Sequence, residues 1–194
     1  MNSIGQPEQA DYLASLVESL LLVATEPVSI SQLRRATGAV RPDLRSALET
    51  VRQRLQGGIR LQVHQGKIQL VSAPENAEAV RRFLGVGRQP PLPRSAMEAL
   101  TVIAYRQPVT RADIAASRGV HSDRAVQTLL ARGLIEEVGP RQTVGRPMQY
   151  GTGFSFLEYF GLSGLDELPP IELDGESSLE PVQLGLRPSS EQID

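Results

Sequence analysis

Met97, Leu100, Ile103 and Ala104 recur at helical spacing, so one face of the stretch that opens at Ala96 is apolar. Pro108 disfavours helical geometry in the residue before it, which predicts an end to that helix near Arg106. Thr110 followed three residues on by Asp113 has the form of a capping box, with Asp in the usual Glu place. A short helix to Arg118 follows, and Gly119 can supply the left-handed turn that closes it. Ser122 is expected to cap the next helix, which turns Val126, Leu129 and Leu130 inward. Leu134–Val138 and Gln149–Thr152 then read as two short strands. Helix, short helix, tight turn, helix and hairpin make a winged helix.

The first half of the chain carries the same order. Leu13, Leu16, Val17, Leu20, Leu21 and Ala24 predict a helix from Asp11 to Ala24, which Glu26-Pro27 ends. Ser29 with Gln32 is a second capping box, opening a short helix that Gly38 closes. Pro42 suits the start of a helix whose stripe is Leu44, Ala47, Leu48, Val51 and Leu55. Ile59, Leu61 and Val63, then Ile68 and Leu70, alternate around Gln65-Gly66 as a β-hairpin. Pro74 leads into a helix over Asn76–Leu84.

The two halves align. An offset of 81 residues carries Pro27 to Pro108, Leu33 to Ile114, Gly38 to Gly119 and Leu48 to Leu129. An offset of 80 carries Val17 to Met97, Leu20 to Leu100 and Ala24 to Ala104. Small apolar residues and punctuating glycines match while surface residues do not, so the prediction is two tandem winged helices, mainly α with small β-hairpins. Residues 1–10 are expected to be disordered, 11–84 form the first domain, 85–93 are a Pro/Gly linker, 94–170 form the second domain, and 171–194 are an acidic disordered tail. Phe154–Leu162 closes the second domain as a short aromatic helix stopped by Gly161.

Composition narrows the chemistry. The aromatic share is 4% and there is no Trp, so the cores rest on aliphatic side chains. Without cysteine there is no disulfide, thiolate metal site or thiol nucleophile, which fits the cytosol. The polar start shows no signal peptide, and the longest apolar run, Leu20–Ala24, is too short to span a membrane. Residues 164–194 hold one basic and eight acidic groups, so an acidic tail at −7 offsets a body near +5. His64 and His121 are expected on a wing and in a turn, at the surface, and no cluster has metal-ligand spacing. No phosphate-cradling P-loop is present. The reading is of a chain that is not an enzyme, with no catalytic, metal or cofactor-binding residues.

The motifs IAYRQPVTRADIAASRGV, LLARGLIEEVG, GRPMQYGT, FLEYFGL and LDELP resemble the segregation and condensation protein B family, the accessory subunit of the bacterial SMC–kleisin condensin complex. The resemblance runs from about Leu13 to Pro170, and Gly151-Thr152-Gly153 departs from the family's usual GTT. It implies two winged helices per chain, a homodimer formed largely by the first, and a non-catalytic role in chromosome condensation and segregation during cell division. The implied partners are the kleisin ScpA and, through it, the SMC ATPase. The implied place is the cytoplasm, at the nucleoid.

Three surfaces follow. Tyr12, Leu22 and Val23 lie off the core stripe of the first helix and would either form a twofold interface or pack on the Asn76–Leu84 helix. Phe156, Tyr159 and Phe160, with Tyr150, Arg146 and Pro147 at the edge, would either complete the core or line an apolar groove for the kleisin. The helices that could enter a DNA groove, Pro42–Gln56 and Ser122–Arg132, lack an Arg, Asn and Gln cluster near their starts for reading bases. The basic wing at Arg141–Arg146 could touch phosphate, so DNA binding is expected to be weak and sequence-blind at most. A dimeric winged-helix transcriptional regulator is the alternative function.

Overall fold

The computed structural model describes residues 6–87 and 90–170. The chain divides into two compact units between Val80 and Arg81. The first runs α1 (Gln6–Val23), β1 (Val28–Ser29), α2 (Ile30–Thr37), α3 (Arg41–Arg54), β2 (Ile59–His64) and β3 (Lys67–Ser72). A single 3-10 turn at Pro74–Asn76 then leads into α4 (Ala77–Leu84), which crosses the division. Helix α1 begins at Gln6, so residues 6–10 are helical rather than disordered. Pro7 stands in the first turn, where a missing N–H breaks no helical bond; residues 1–5 lie outside the described residues.

The punctuation does what its chemistry requires. Gln32 N donates to Ser29 Oγ at 3.3 Å and Ser29 N donates to Gln32 Oε1 at 2.8 Å. Gly38, at φ 72°, closes α2 with its N–H on Arg34 O. The core gathers Val17 and Leu21 from α1, Leu33 from α2, Leu44 and Val51 from α3, and Leu61 and Ile68 from the sheet. That sheet is antiparallel in the order β1-β3-β2, with Val28 opposite Ile68. His64 is buried, at 3% exposure, which corrects the expected surface position. It alternates with Leu61 and Val63, as Gln62 does, so both lie on the sheet's other face; their burial shows that this face is covered too.

The second unit repeats the plan: α5 (Arg94–Arg106), β4 (Val109–Thr110), α6 (Arg111–Arg118), α7 (Asp123–Ala131), β5 (Ile135–Pro140), β6 (Met148–Thr152) and α8 (Phe154–Phe160). Its capping box joins Thr110 and Asp113, and Gly119 at φ 68° closes α6. The sheet order β4-β6-β5 matches the first. Ser122 departs from expectation. It stands before α7 but bonds none of that helix's amides; its Oγ accepts from Arg118 Nη1 at 2.8 Å and donates to Val120 O at 3.2 Å.

Helix α5 is the centre of this unit, with Ala96, Ala99, Leu100, Thr101, Val102, Ile103 and Ala104 all buried. The prolines before it belong to the same body. Leu92 enters the core, and Arg132 Nη1 donates to Pro90 O at 2.8 Å. Residues 88–89 of the expected linker and the whole of 171–194 lie outside the described residues. At the other end Tyr105 donates its hydroxyl to Pro169 O at 2.8 Å, and Leu162, Leu165 and Leu168 pack on the core.

Candidate functional site

Each unit has one surface to weigh. In the second, Tyr150 sits on β6 opposite Val109 and is 3% exposed. Its hydroxyl accepts from Arg111 Nε at 3.0 Å, and Arg111 Nη1 donates to Asp123 Oδ1 at 2.9 Å. Arg111 also lies 5.5 Å from the Tyr150 ring centroid. Tyr150 therefore ties β6 to the starts of α6 and α7, and it is not the edge of an open groove.

The aromatic helix is mostly core. Phe156 is fully buried and Phe160 is 8% exposed, with ring centroids 5.0 Å apart. Neither ring lines an exposed groove. Of the two expected roles, completing the core is the one these two rings take. Leu134 and Ile135 lie in the same core as the buried face of α5, and Leu162, Leu165 and Leu168 close over it. Tyr159 is half-buried and meets Phe160 edge-on at 5.0 Å. It is the one member of that helix's expected set that reaches solvent.

Arg146 and Pro147 are exposed on the loop of the β5–β6 hairpin. Arg146 takes φ 40° and donates its N–H to Thr143 O; Pro147 O accepts from Arg141 N. The basic character expected of this wing is partly spent. Arg141 grips Asp113 with both terminal nitrogens, at 3.2 Å and 2.5 Å. The sequence pattern missed the apolar side chains here: Val138, at a bulge in the ladder, Val144 and Met148 are all exposed. Their signal was an interrupted alternation, Val138 being the extra residue between the pairs at Glu137 and Gly139.

In the first unit Tyr12, Leu22 and Val23 are 69%, 69% and 75% exposed, so the α4 helix does not cover them. At 100° per residue they share one face of α1 with Ser15, Ser19 and half-buried Leu16. The stripe opposite, Ala14, Val17 and Leu21, enters the core. Among the described residues no group of three or more His, Cys, Asp or Glu could hold a metal, and no helix is long and apolar enough to cross a membrane. His121 is exposed in the turn before α7, as expected.

The model of one family, described as segregation and condensation complex subunit ScpB, matches residues 15–171. The chain belongs to that family. A segregation and condensation protein B of Geobacillus kaustophilus is 40% identical over 183 residues, covering 91% of this chain and 83% of the relative. The solved structure of ScpB from Mycobacterium tuberculosis is 38% identical, covers 79% of this chain and 97% of its own, and has a TM-score of 0.38. A structure of a dimer of the ScpB N-terminal domain complexed with a ScpA peptide is 23% identical over 39% of this chain and 98% of its own, with a TM-score of 0.36. Membership in the ScpB family makes the chain a subunit of the segregation and condensation complex and sets the transcriptional-regulator reading aside.

Proposed function

We propose that this ScpB-family chain acts as a homodimer with no catalytic centre of its own, binding the kleisin ScpA and reaching the SMC ATPase through it. It works in the cytoplasm, at the nucleoid, in chromosome condensation and segregation. Family membership supports the partner. The observation that carries the dimer is the open face of α1, where Tyr12, Leu22 and Val23 stand exposed in line. Apolar side chains of that size in one stripe are the usual mark of an interface, and serines between them let a second helix come close. The kleisin segment is assigned to the second unit, at the Arg146-Pro147 loop with Val144 and Met148, and at Tyr159.

Sedimentation of the full chain, alone and with ScpA, tests both halves. The wild type runs as a dimer at tens of micromolar and shifts again with ScpA. Leu22→Asp with Val23→Asp gives a monomer of unchanged helix content. A monomeric wild type at that concentration sinks the dimer, and a dimer that ignores ScpA sinks the partner.

A further inference from the structure

The two units spend their arginines differently. In the second unit Arg111 is tied to Tyr150 and Asp123, Arg118 to Glu98 and Ser122, Arg141 to Asp113, Arg106 to Ser117 and Arg132 to Pro90 O, while Arg124 on α7 and Arg146 on the hairpin loop are exposed and outside these pairs. In the first unit, among the described residues, Arg34, Arg35, Arg41 and Arg45 take no side-chain partner and are all exposed. Helices α2 and α3 carry Arg34, Arg35, Arg41, Arg45, Arg52 and Arg54 against only Asp43 and Glu49. Of these Arg54 is engaged, by Asp11 at 2.8 Å, and Glu49 accepts from Gln53.

Their placement fits one kind of partner. Arg41, Arg45 and Arg52 share a face of α3, and Arg34 and Arg35 occupy the last turn of α2, joined to α3 by the short turn at Gly38. In a helix-turn-helix the second helix enters the major groove and the first crosses the backbone. Arg41 and Arg52 stand about 16 Å apart along the axis of α3, enough to reach both walls of a major groove about 12 Å wide. Among the remaining exposed side chains of α3, Asp43, Ser46 and Glu49 supply no bidentate reader of guanine or adenine, and the amide of Gln53 is turned to Glu49 at 3.3 Å. Long unpaired guanidinium groups in this arrangement suit phosphate. We propose that the α2–α3 face of the first unit binds the phosphate backbone of double-stranded nucleic acid without regard to sequence, and that the equivalent face of the second unit does not.

Fluorescence anisotropy of the full-length protein with short DNA duplexes of unrelated sequence, over a range of salt, tests this. The wild type binds all duplexes alike, with a slope of log affinity on log salt of about −3.6 if four phosphates are neutralised. Arg41→Gln with Arg45→Gln halves that slope, each phosphate no longer neutralised removing about 0.9 from it, and weakens binding more than tenfold near 0.1 M salt. Arg106→Gln with Arg124→Gln removes the same charge from the second unit and changes affinity less than twofold. All four side chains are exposed, and circular dichroism confirms that each variant folds. The proposal is overturned by a wild type that ignores duplexes at low salt, by first-unit variants that bind as tightly as wild type, by equal losses in the two double variants, or by strong preference for one sequence. A wild type that ignores duplex but binds polyglutamate assigns the face to an acidic polypeptide and overturns it as well. Binding of ScpA to the same variants is measured alongside, so that failure here and failure of the kleisin reading are told apart.

Discussion

Arg118 Nη2 donates to Glu98 Oε2 at 3.0 Å, and the arginine side chain is 7% exposed where the glutamate is 29% exposed. The pair joins the first turns of α5 to the last turn of α6. Glu98→Gln leaves a nearly buried guanidinium with Ser122 but without its counter-charge, so it should cost about 2 kcal/mol. Arg94 also bonds Glu98 at 3.0 Å but is 74% exposed, and Arg94→Ala should cost less than about 0.5 kcal/mol. Urea unfolding of the two variants checks the ranking; equal losses would count against burial as the cause.

Acid should weaken the second unit through two carboxylates. The hydrogen bond from Arg118 is the main cause holding Glu98 below the ordinary carboxylate range, against an opposing push from burial. For Asp113 the main cause is the Thr110 backbone N–H, with Arg141 adding to it. Both groups have folded values below their unfolded ones, so the unfolded chain takes up protons first as pH falls. Their stabilisation is complete above the ordinary range near pH 4 and is lost as pH drops through the lowered folded values. Melting temperature followed from neutral pH into that range should fall, and Glu98→Gln with Asp113→Asn should flatten the fall. An unchanged profile in the double variant would assign the acid loss to other groups.

Phe156 and Tyr159 should separate cleanly. Phe156→Ala empties a fully buried site and should cost about 3–5 kcal/mol. Tyr159→Ala should cost well under half of that and, if Tyr159 is a kleisin anchor, weaken ScpA binding at least tenfold, in line with about 2 kcal/mol for such anchors. Calorimetry and titration with ScpA on both variants give the two numbers. A Tyr159→Ala protein that melts early yet binds ScpA normally removes Tyr159 from the interface.

The two capping boxes offer a matched comparison. Ser29→Ala removes a half-buried cap and should cost about 1 kcal/mol. Thr110 is 2% exposed, and its Oγ1 both donates to Asp113 Oδ2 and accepts from Asp113 N. Thr110→Ala removes a buried hydroxyl and its contact with the partly exposed Asp113 carboxylate as well, so it should cost more than Ser29→Ala. Thermal melts of the two variants decide the order.

Features with a local chemical cause were legible from residues alone. Ser29 with Gln32, Thr110 with Asp113, and the glycines at 38, 119 and 161 mark helix ends because side-chain oxygens and left-handed backbone act within a few residues. Strands β1 and β4 were not legible. Two residues show no alternation, and each is a strand only because β3 or β6 lies beside it. The sequence left the aromatic helix open between core and groove for a related reason. Counting its apolar side chains said how much surface needs cover, but the cover comes from α5 and from Leu162, Leu165 and Leu168, packed against the same core. His64 was missed because a period-two pattern reports one face of a strand and is silent on the other.

Helices α1 and α5 hold equivalent places in the repeat, yet α1 keeps an open flank and α5 has seven buried residues among its thirteen. Backbone amides in the middle of α5 can meet deuterium only when the whole second unit opens, whereas fraying or local opening suffices for segments near solvent. The slowest-exchanging amides of that unit should therefore fall between Leu100 and Ala104. Their rates would report the unit's global unfolding free energy in the absence of denaturant, and any partner that binds only the folded unit would slow them in proportion to its occupancy.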